Sequence, residues 1–200
     1  MSPLFAEKKL VIATHNAGKV KEFAHLINQD GLQLLSADEL NLPEPDETGT
    51  TFAENAILKS TAAALASNLP AMADDSGLSV EALDGAPGIY SARWAINKNF
   101  VPAFEKIHKE LAEKNTATNG ARASFICVLA LTLPNKETLI AEGRIDGRLC
   151  FPPRGLHGFG YDPIFIPDGE KRSFAEMSDD EKNNFSHRAR AVAALKKLIA

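Results

Sequence analysis

The sequence predicts an α/β protein whose central β-sheet is mixed rather than purely parallel, with helices on its flanks. Three observations carry that reading. Short apolar runs at residues 10–13, 32–35 and 71–73 alternate with longer segments of helical period in the first half of the chain. Two long strand-like segments, 122–133 and 138–148, follow, joined by the turn Pro134-Asn135-Lys136 in the pattern of a hairpin. The chain has 200 residues, 44% of them hydrophobic and 24% charged, which suits one soluble domain over residues 1–200, or two closely joined lobes of it.

Each element has its own local reason. The first apolar run is short enough for a buried strand, and Thr14-His15-Asn16-Ala17-Gly18-Lys19 turns from it into a helix over 19–28, with Val20, Phe23, Leu26 and Ile27 on one face. Gly31 opens the second strand. Residues 42–49 form an acidic, proline-bearing loop. Thr51-Phe52-Ala53-Glu54 is a capping box, so a helix starts there and runs through an alanine-rich stretch to about Ser67, with Pro70 beyond its end. The third strand, 71–73, delivers Asp74 and Asp75 at its carboxyl end. Pro102 opens a helix that reaches Lys114. Residues 155–162 are a glycine-rich loop, and Ser178-Asp179-Asp180-Glu181 is a second capping box. Ser186 caps a last helix over 187–199, with Ala191, Leu195, Leu198 and Ile199 on its apolar side.

Composition narrows the class of function. The formal net charge of −4 argues against a dedicated nucleic-acid binder, while leaving room for a small anionic substrate in a locally basic cleft. No apolar segment is long enough to span a bilayer, and residues 1–9 contain charge and lack an apolar signal core, so the chain reads as cytoplasmic. Cys127 and Cys150 have no metal-like spacing, and Cys127 sits in an apolar run as a core residue.

The chemistry concentrates at Ala73-Asp74-Asp75-Ser76-Gly77-Leu78 and the following Gly85-Ala86-Pro87-Gly88-Ile89-Tyr90-Ser91-Ala92-Arg93. Adjacent carboxylates repel and are costly to bury, so a fold that keeps them supplies a cation. A divalent metal together with a phosphate substrate meets that need. Residues 14–19 follow a strand and open a helix, where backbone N–H groups attract phosphate and Gly18 allows close approach.

These strings resemble the inosine triphosphate pyrophosphatases, also called non-standard purine NTP pyrophosphatases, and the resemblance runs in order from Val11 to Arg188. It implies two lobes around a nucleotide-binding cleft, a homodimer, magnesium, and hydrolysis of ITP, dITP and XTP to monophosphate and pyrophosphate. Thr14, His15, Asn16, Ala17, Gly18 and Lys19 match a Thr-Gly-Asn-x-x-Lys motif that holds the triphosphate, with His15 standing where glycine is common. Lys59, in Glu54-Asn55-Ala56-Ile57-Leu58-Lys59, faces the phosphates with Lys19 and Arg93. Asp75 becomes the metal-associated proton acceptor, and Ser76 touches substrate. A second metal carboxylate comes from the acidic loop, as Asp46 or Glu47 ahead of Glu44. Phe159, Gly160, Tyr161 and Asp162 match the base-recognition loop, and Lys182, His187 and Arg188 complete the base site. Donors there suit a 6-keto oxygen and reject an amino group, which leaves them unpaired.

Three other readings stand beside this one. A Maf-like pyrophosphatase would prefer pyrimidine or modified nucleotides. A sensor would hold purine triphosphates without cleaving them, against the retained Asp74-Asp75 pair. An RNA-binding module built on Phe159 and basic residues is disfavoured by the net charge.

Overall fold

The computed structural model describes residues 8–27, 30–135 and 137–200. Strand β1 (Lys9–Ile12) lies between β2 (Gln33–Ser36) and β3 (Ala71–Val80) and is parallel to both, with Ile12 opposite Ser36 on one side and Met72 on the other. Strands β4 (Arg122–Thr132), β5 (Thr138–Leu149) and β6 (Phe165–Pro167) follow, giving the order β2-β1-β3-β4-β5-β6. β6 runs antiparallel to β5, so the sheet is mixed, as the sequence predicts. The helices are α1 (Ala17–Ile27), α2 (Phe52–Ser67), α3 (Val101–Glu113), the short α4 (Asp179–Asn183) and α5 (His187–Leu198). None of them, among the described residues, is long and apolar enough to cross a membrane.

The chain divides into two compact units, one of residues 1–75, 127–143 and 188–200, the other of 76–126 and 144–187. It passes from one to the other within β3 between Asp75 and Ser76, again within β4 and β5, and between His187 and Arg188 at the start of α5.

In the first unit β1 and the start of β3 are buried on both faces, β2 being only partly covered, and alternation decides what each face meets. Leu10, Ile12 and Met72 pack with Phe23 and Ile27 of α1 and with Ala191, Val192 and Leu195 of α5. Val11, Ala71 and Ala73 point the other way and pack with Ala63 and Ala64 of α2, where small side chains let helix and sheet approach closely. A fully buried side chain such as Phe23 contributes about 1.5–3 kcal/mol relative to exposure. The second unit has its own core, centred on Phe125, Phe165 and Phe174, with Ile107 and Leu111 of α3 packed in. The Phe125 and Phe165 rings meet edge-on at 4.7 Å. Cys127 in the first unit and Cys150 in the second are both buried thiols.

Several boundaries differ from the sequence reading. The third strand does not stop at Ala73 but continues through both aspartates to Val80, because partners distant in the chain compensate their charge. α1 starts at Ala17 rather than Lys19, since the Asn16 side chain caps it. The predicted end of that helix at Asn28, and Lys136 of the hairpin turn, lie outside the described residues. Leu198 is 54% exposed rather than on the packed side of α5, whereas Ala191 and Leu195 are buried. β6 had no sequence signal of its own; it takes only three residues.

Candidate active site

The alternation along β3 separates the two aspartates. Asp74 shares the Met72 face, towards α1 and α5, and Asp75 shares the Ala71 and Ala73 face, towards α2. Their surroundings differ accordingly. The Asp74 Oδ2 lies 2.8 Å from Lys19 Nζ and 4.0 Å from Arg188 Nε. Arg188 is itself held by Glu22 of α1, Nη1 to Oε2 at 2.9 Å. Burial pushes the Asp74 carboxyl up, but the Lys19, Arg188 and Lys59 cations outweigh it and hold it well below the usual range, so it stays ionised.

Asp75 accepts a hydrogen bond on Oδ2 from Asn55 Nδ2 at 3.0 Å, and its Oδ1 lies 3.9 Å from Lys59 Nζ. Burial pushes this carboxyl up and the Glu47 charge adds to it; Lys59, Asn55 and Lys19 pull the other way without cancelling the rise. Lys59 also donates to the Glu47 carboxylate. Burial works against its ammonium, yet Asp74, Asp75 and Glu47 together leave its pKa above the ordinary lysine value. Of the two acidic-loop candidates, Glu47 therefore stands with Asp75 around Lys59, while Asp46 is exposed, as is Glu44.

Asn55 is a residue the sequence reading missed. It is fully buried and its amide is used at both ends: Oδ1 accepts from the Gly49 N–H at 2.8 Å while Nδ2 holds Asp75. A Cβ at residue 49 would collide with that side chain, so only glycine admits the contact. The available signal was an asparagine inside an alanine-rich helix, a residue type that favours caps and turns.

The segment before α1 is ordered by its own side chains. Asn16 Oδ1 accepts from the Gly18 and Lys19 N–H groups at 3.0 and 3.2 Å, and Thr14 Oγ1 accepts from the Asn16 N–H at 3.2 Å. His15 Nδ1 meets Asp38 Oδ1 at 2.5 Å. Ala17 begins the helix.

In the second unit, Asp162 organises the glycine-rich loop. Its Oδ2 accepts from the Phe159 N–H at 2.9 Å and from Lys182 Nζ at 2.7 Å, both charged side chains being buried. Gly158 has φ 70°, and a Cβ there would run into the Asp162 carboxylate. Lys182 also lies over the Phe159 ring at 4.9 Å. The Asp162–Lys182 pair thus fixes the height and tilt of Phe159. Gly160 follows in the same loop with φ 66°. Tyr161 is buried and its hydroxyl donates to the Ser91 carbonyl at 2.9 Å, so it anchors the Ser91–Arg93 stretch from within the core. Arg93 is exposed, its guanidinium 5.2 Å from the Tyr90 ring centroid. Ser76 is half-buried on β3. The buried His187 ring stacks on Phe125 at 4.7 Å, with the planes 10° apart. Arg188 is buried too, not at the surface.

The donor set tests which metal these residues suit. Asp75 and Glu47 offer hard carboxylate oxygens, and among the described residues no cluster of three or more His, Cys, Asp or Glu side chains is placed to hold a metal by itself. Two carboxylates without a full cage fit magnesium, which keeps several waters and shares its sphere with substrate phosphates.

Known proteins share this architecture. The sequence profile of the Ham1 family matches residues 10–198. A dITP/XTP pyrophosphatase of Rhodospirillum centenum (strain ATCC 51521 / SW) is 55% identical over 192 residues, covering 96% of this chain and 94% of its own. The dITP/XTP pyrophosphatase of Gluconobacter oxydans (strain 621H) is 50% identical over 195 residues, covering 97% and 92%. Among solved structures, a HAM1 protein from Coxiella burnetii superposes with a TM-score of 0.86 at 38% identity, over 95% of this chain and 97% of that one. The Staphylococcus aureus Ham1 protein gives 0.82 at 40%, with the same coverage. With a profile match over nearly its whole length and relatives at half identity or better, the chain belongs to the Ham1 family.

Proposed function

We propose that this protein hydrolyses deaminated purine nucleoside triphosphates, ITP, dITP and XTP, to the monophosphate and pyrophosphate, breaking the link between the α and β phosphates. The observation that carries the reading is the opposite setting of two adjacent buried carboxylates, Asp74 against Lys19 and Arg188, and Asp75 against Asn55 and Lys59 with Glu47 on the same lysine. Environments that push paired carboxyls apart are how one site acquires both a fixed charge and a proton acceptor. The substrate class is supported by the relatives, which are named dITP/XTP pyrophosphatases.

Lys19 and Lys59 offset the phosphate charge, with Arg93 as a third cation. Asp75 accepts the proton of a water that attacks in line, and Asn55 keeps its Oδ2 oriented for that transfer. Magnesium, when held by Asp75 and Glu47, supplies positive charge at the phosphates and lowers the pKa of a bound water. Phe159 gives the base a stacking face, and the His187 and Arg188 donors read its 6-keto oxygen. The family resemblance also supports a homodimer, which light scattering of the purified protein tests.

Incubation of ITP, XTP, GTP, ATP and UTP with protein and magnesium, followed by separation of products, tests the proposal. IMP and XMP with pyrophosphate are expected, with little from the other three and none after chelation by EDTA. Diphosphate with free phosphate would place the cleavage elsewhere, and a preference for UTP would move the substrate class to pyrimidines.

A further inference from the structure

The connection after β2 is a built turn. The Ser36 N–H and Oγ–H donate to Glu39 Oε2 at 2.6 and 2.8 Å, and the Glu39 N–H donates back to Ser36 Oγ at 3.2 Å. The Leu42 N–H closes the turn on the Ala37 carbonyl at 2.9 Å. Ala37 is buried, and its N–H donates to the Ile12 carbonyl at 3.1 Å, which anchors the turn on the last residue of β1. Asp38 projects from this fixed frame. Because Ile12 is the register partner of Ser36, the segment 14–19 and this turn leave neighbouring parallel strands side by side.

His15 joins them. Its Nδ1 meets Asp38 Oδ1 at 2.5 Å, and since an ionised carboxylate only accepts, Nδ1 is the nitrogen that carries the hydrogen. The side-chain hydrogen bonds of Thr14 and Asn16 stay within the segment itself, while the Thr14 N–H donates to the Ile12 carbonyl at 2.9 Å, and Lys19 reaches Asp74 from the first turn of α1. The His15–Asp38 contact therefore ties the middle of the segment to a second strand end.

We propose that His15 and Asp38 form a brace that fixes the phosphate-binding segment, with His15 a positioning residue that acts through the backbone of residues 14–19. The inference rests on the preceding reading that this segment takes the triphosphate. A brace of this kind improves binding of the ground state and transition state alike, so its loss falls on KM rather than kcat. Both side chains have solvent access, 28% for His15 and 69% for Asp38, which keeps the effect moderate. A rise in KM of about fivefold is expected.

The test is steady-state hydrolysis of ITP, with calorimetric binding of inorganic tripolyphosphate alongside, for the wild type, His15→Ala, His15→Gly, Asp38→Ala, Asp38→Asn and the double variant His15→Ala/Asp38→Ala. Each alanine variant should raise KM and weaken tripolyphosphate by a similar factor, with unchanged thermal unfolding. The double variant should be no worse than either alone, and Asp38→Asn, which keeps an accepting oxygen, should restore most of the affinity. His15→Gly should be somewhat weaker than His15→Ala, because it adds backbone freedom. An unchanged KM in His15→Ala overturns the brace. So does a rise in His15→Ala that Asp38→Ala does not share, which would assign His15 a direct phosphate contact. A wild type that leaves ITP intact removes the functional reading instead, and tripolyphosphate binding then still decides the brace.

Discussion

Asp74 and Asp75 are consecutive in the chain, yet Asp74 sits against Lys19 and Arg188 while Asp75 faces Asn55 and Lys59. The two should respond differently to substitution. Asp74→Ala removes from a buried position the carboxylate that Lys19 faces, while Arg188 keeps Glu22, a change that costs about 1–3 kcal/mol. Urea denaturation of the metal-free variant measures it. Asp75→Asn keeps an oxygen for the Asn55 amide and removes a charge that burial disfavours, so its unfolding midpoint should match or exceed that of the wild type. Turnover should nevertheless drop by about 10²–10⁴, the range for removing a general base. An Asp75→Asn protein as unstable as Asp74→Ala would mean that both carboxylates are structural and that the proton acceptor lies elsewhere.

At the scale of elements, the short helix α4 shows how a surface turn serves a buried group. Ser178 and Glu181 form its capping box, and Arg172 Nη2 donates to the other oxygen of Glu181 at 2.9 Å. The Arg172 hydrogen bond, with the Ser178 N–H behind it, lowers the Glu181 carboxyl from 4.5 to about 2. With the folded value depressed, the contribution of this box to stability is complete above the ordinary carboxyl range and disappears as pH falls from there through about 2. A carbon-detected NMR titration should place the Glu181 midpoint near 2, and Arg172→Ala should move it up. The next residue, Lys182, carries that order inward to Asp162 and so to Phe159. Local devices of this sort were legible in the sequence: both Thr51-x-x-Glu54 and Ser178-x-x-Glu181 bond as their spacing requires. Features that depend on distant partners were not. The extent of β3 depends on Lys19, Lys59 and Arg188 to neutralise its aspartates, and no window around residue 74 contains them. The buried use of the Tyr161 hydroxyl likewise depends on a carbonyl 70 positions away. Placing Glu47 rather than Asp46 in the neighbourhood of Asp75 likewise required the fold.

At the scale of the whole molecule, each unit is closed only by segments that the other unit separates in sequence. Three of the four passages between them lie inside strands rather than linkers, so neither unit can be excised as one continuous piece, and unfolding should be a single cooperative transition. The two buried cysteines give each unit an intrinsic reporter of that event. Cys127 lies at the start of the β4 stretch assigned to the first unit, and Cys150 belongs to the second, where its Sγ is 3.5 Å from the Pro163 carbonyl and burial pushes the thiol pKa up. A thiol is alkylated as its thiolate, and a buried thiol must first be exposed. Under native conditions with excess alkylating reagent, mass spectrometry should therefore find both sites labelled at one shared rate, set by global opening. Labelling of one site well ahead of the other would reveal a unit that opens alone, and would identify which half of the enzyme yields first to heat, protease or oxidant.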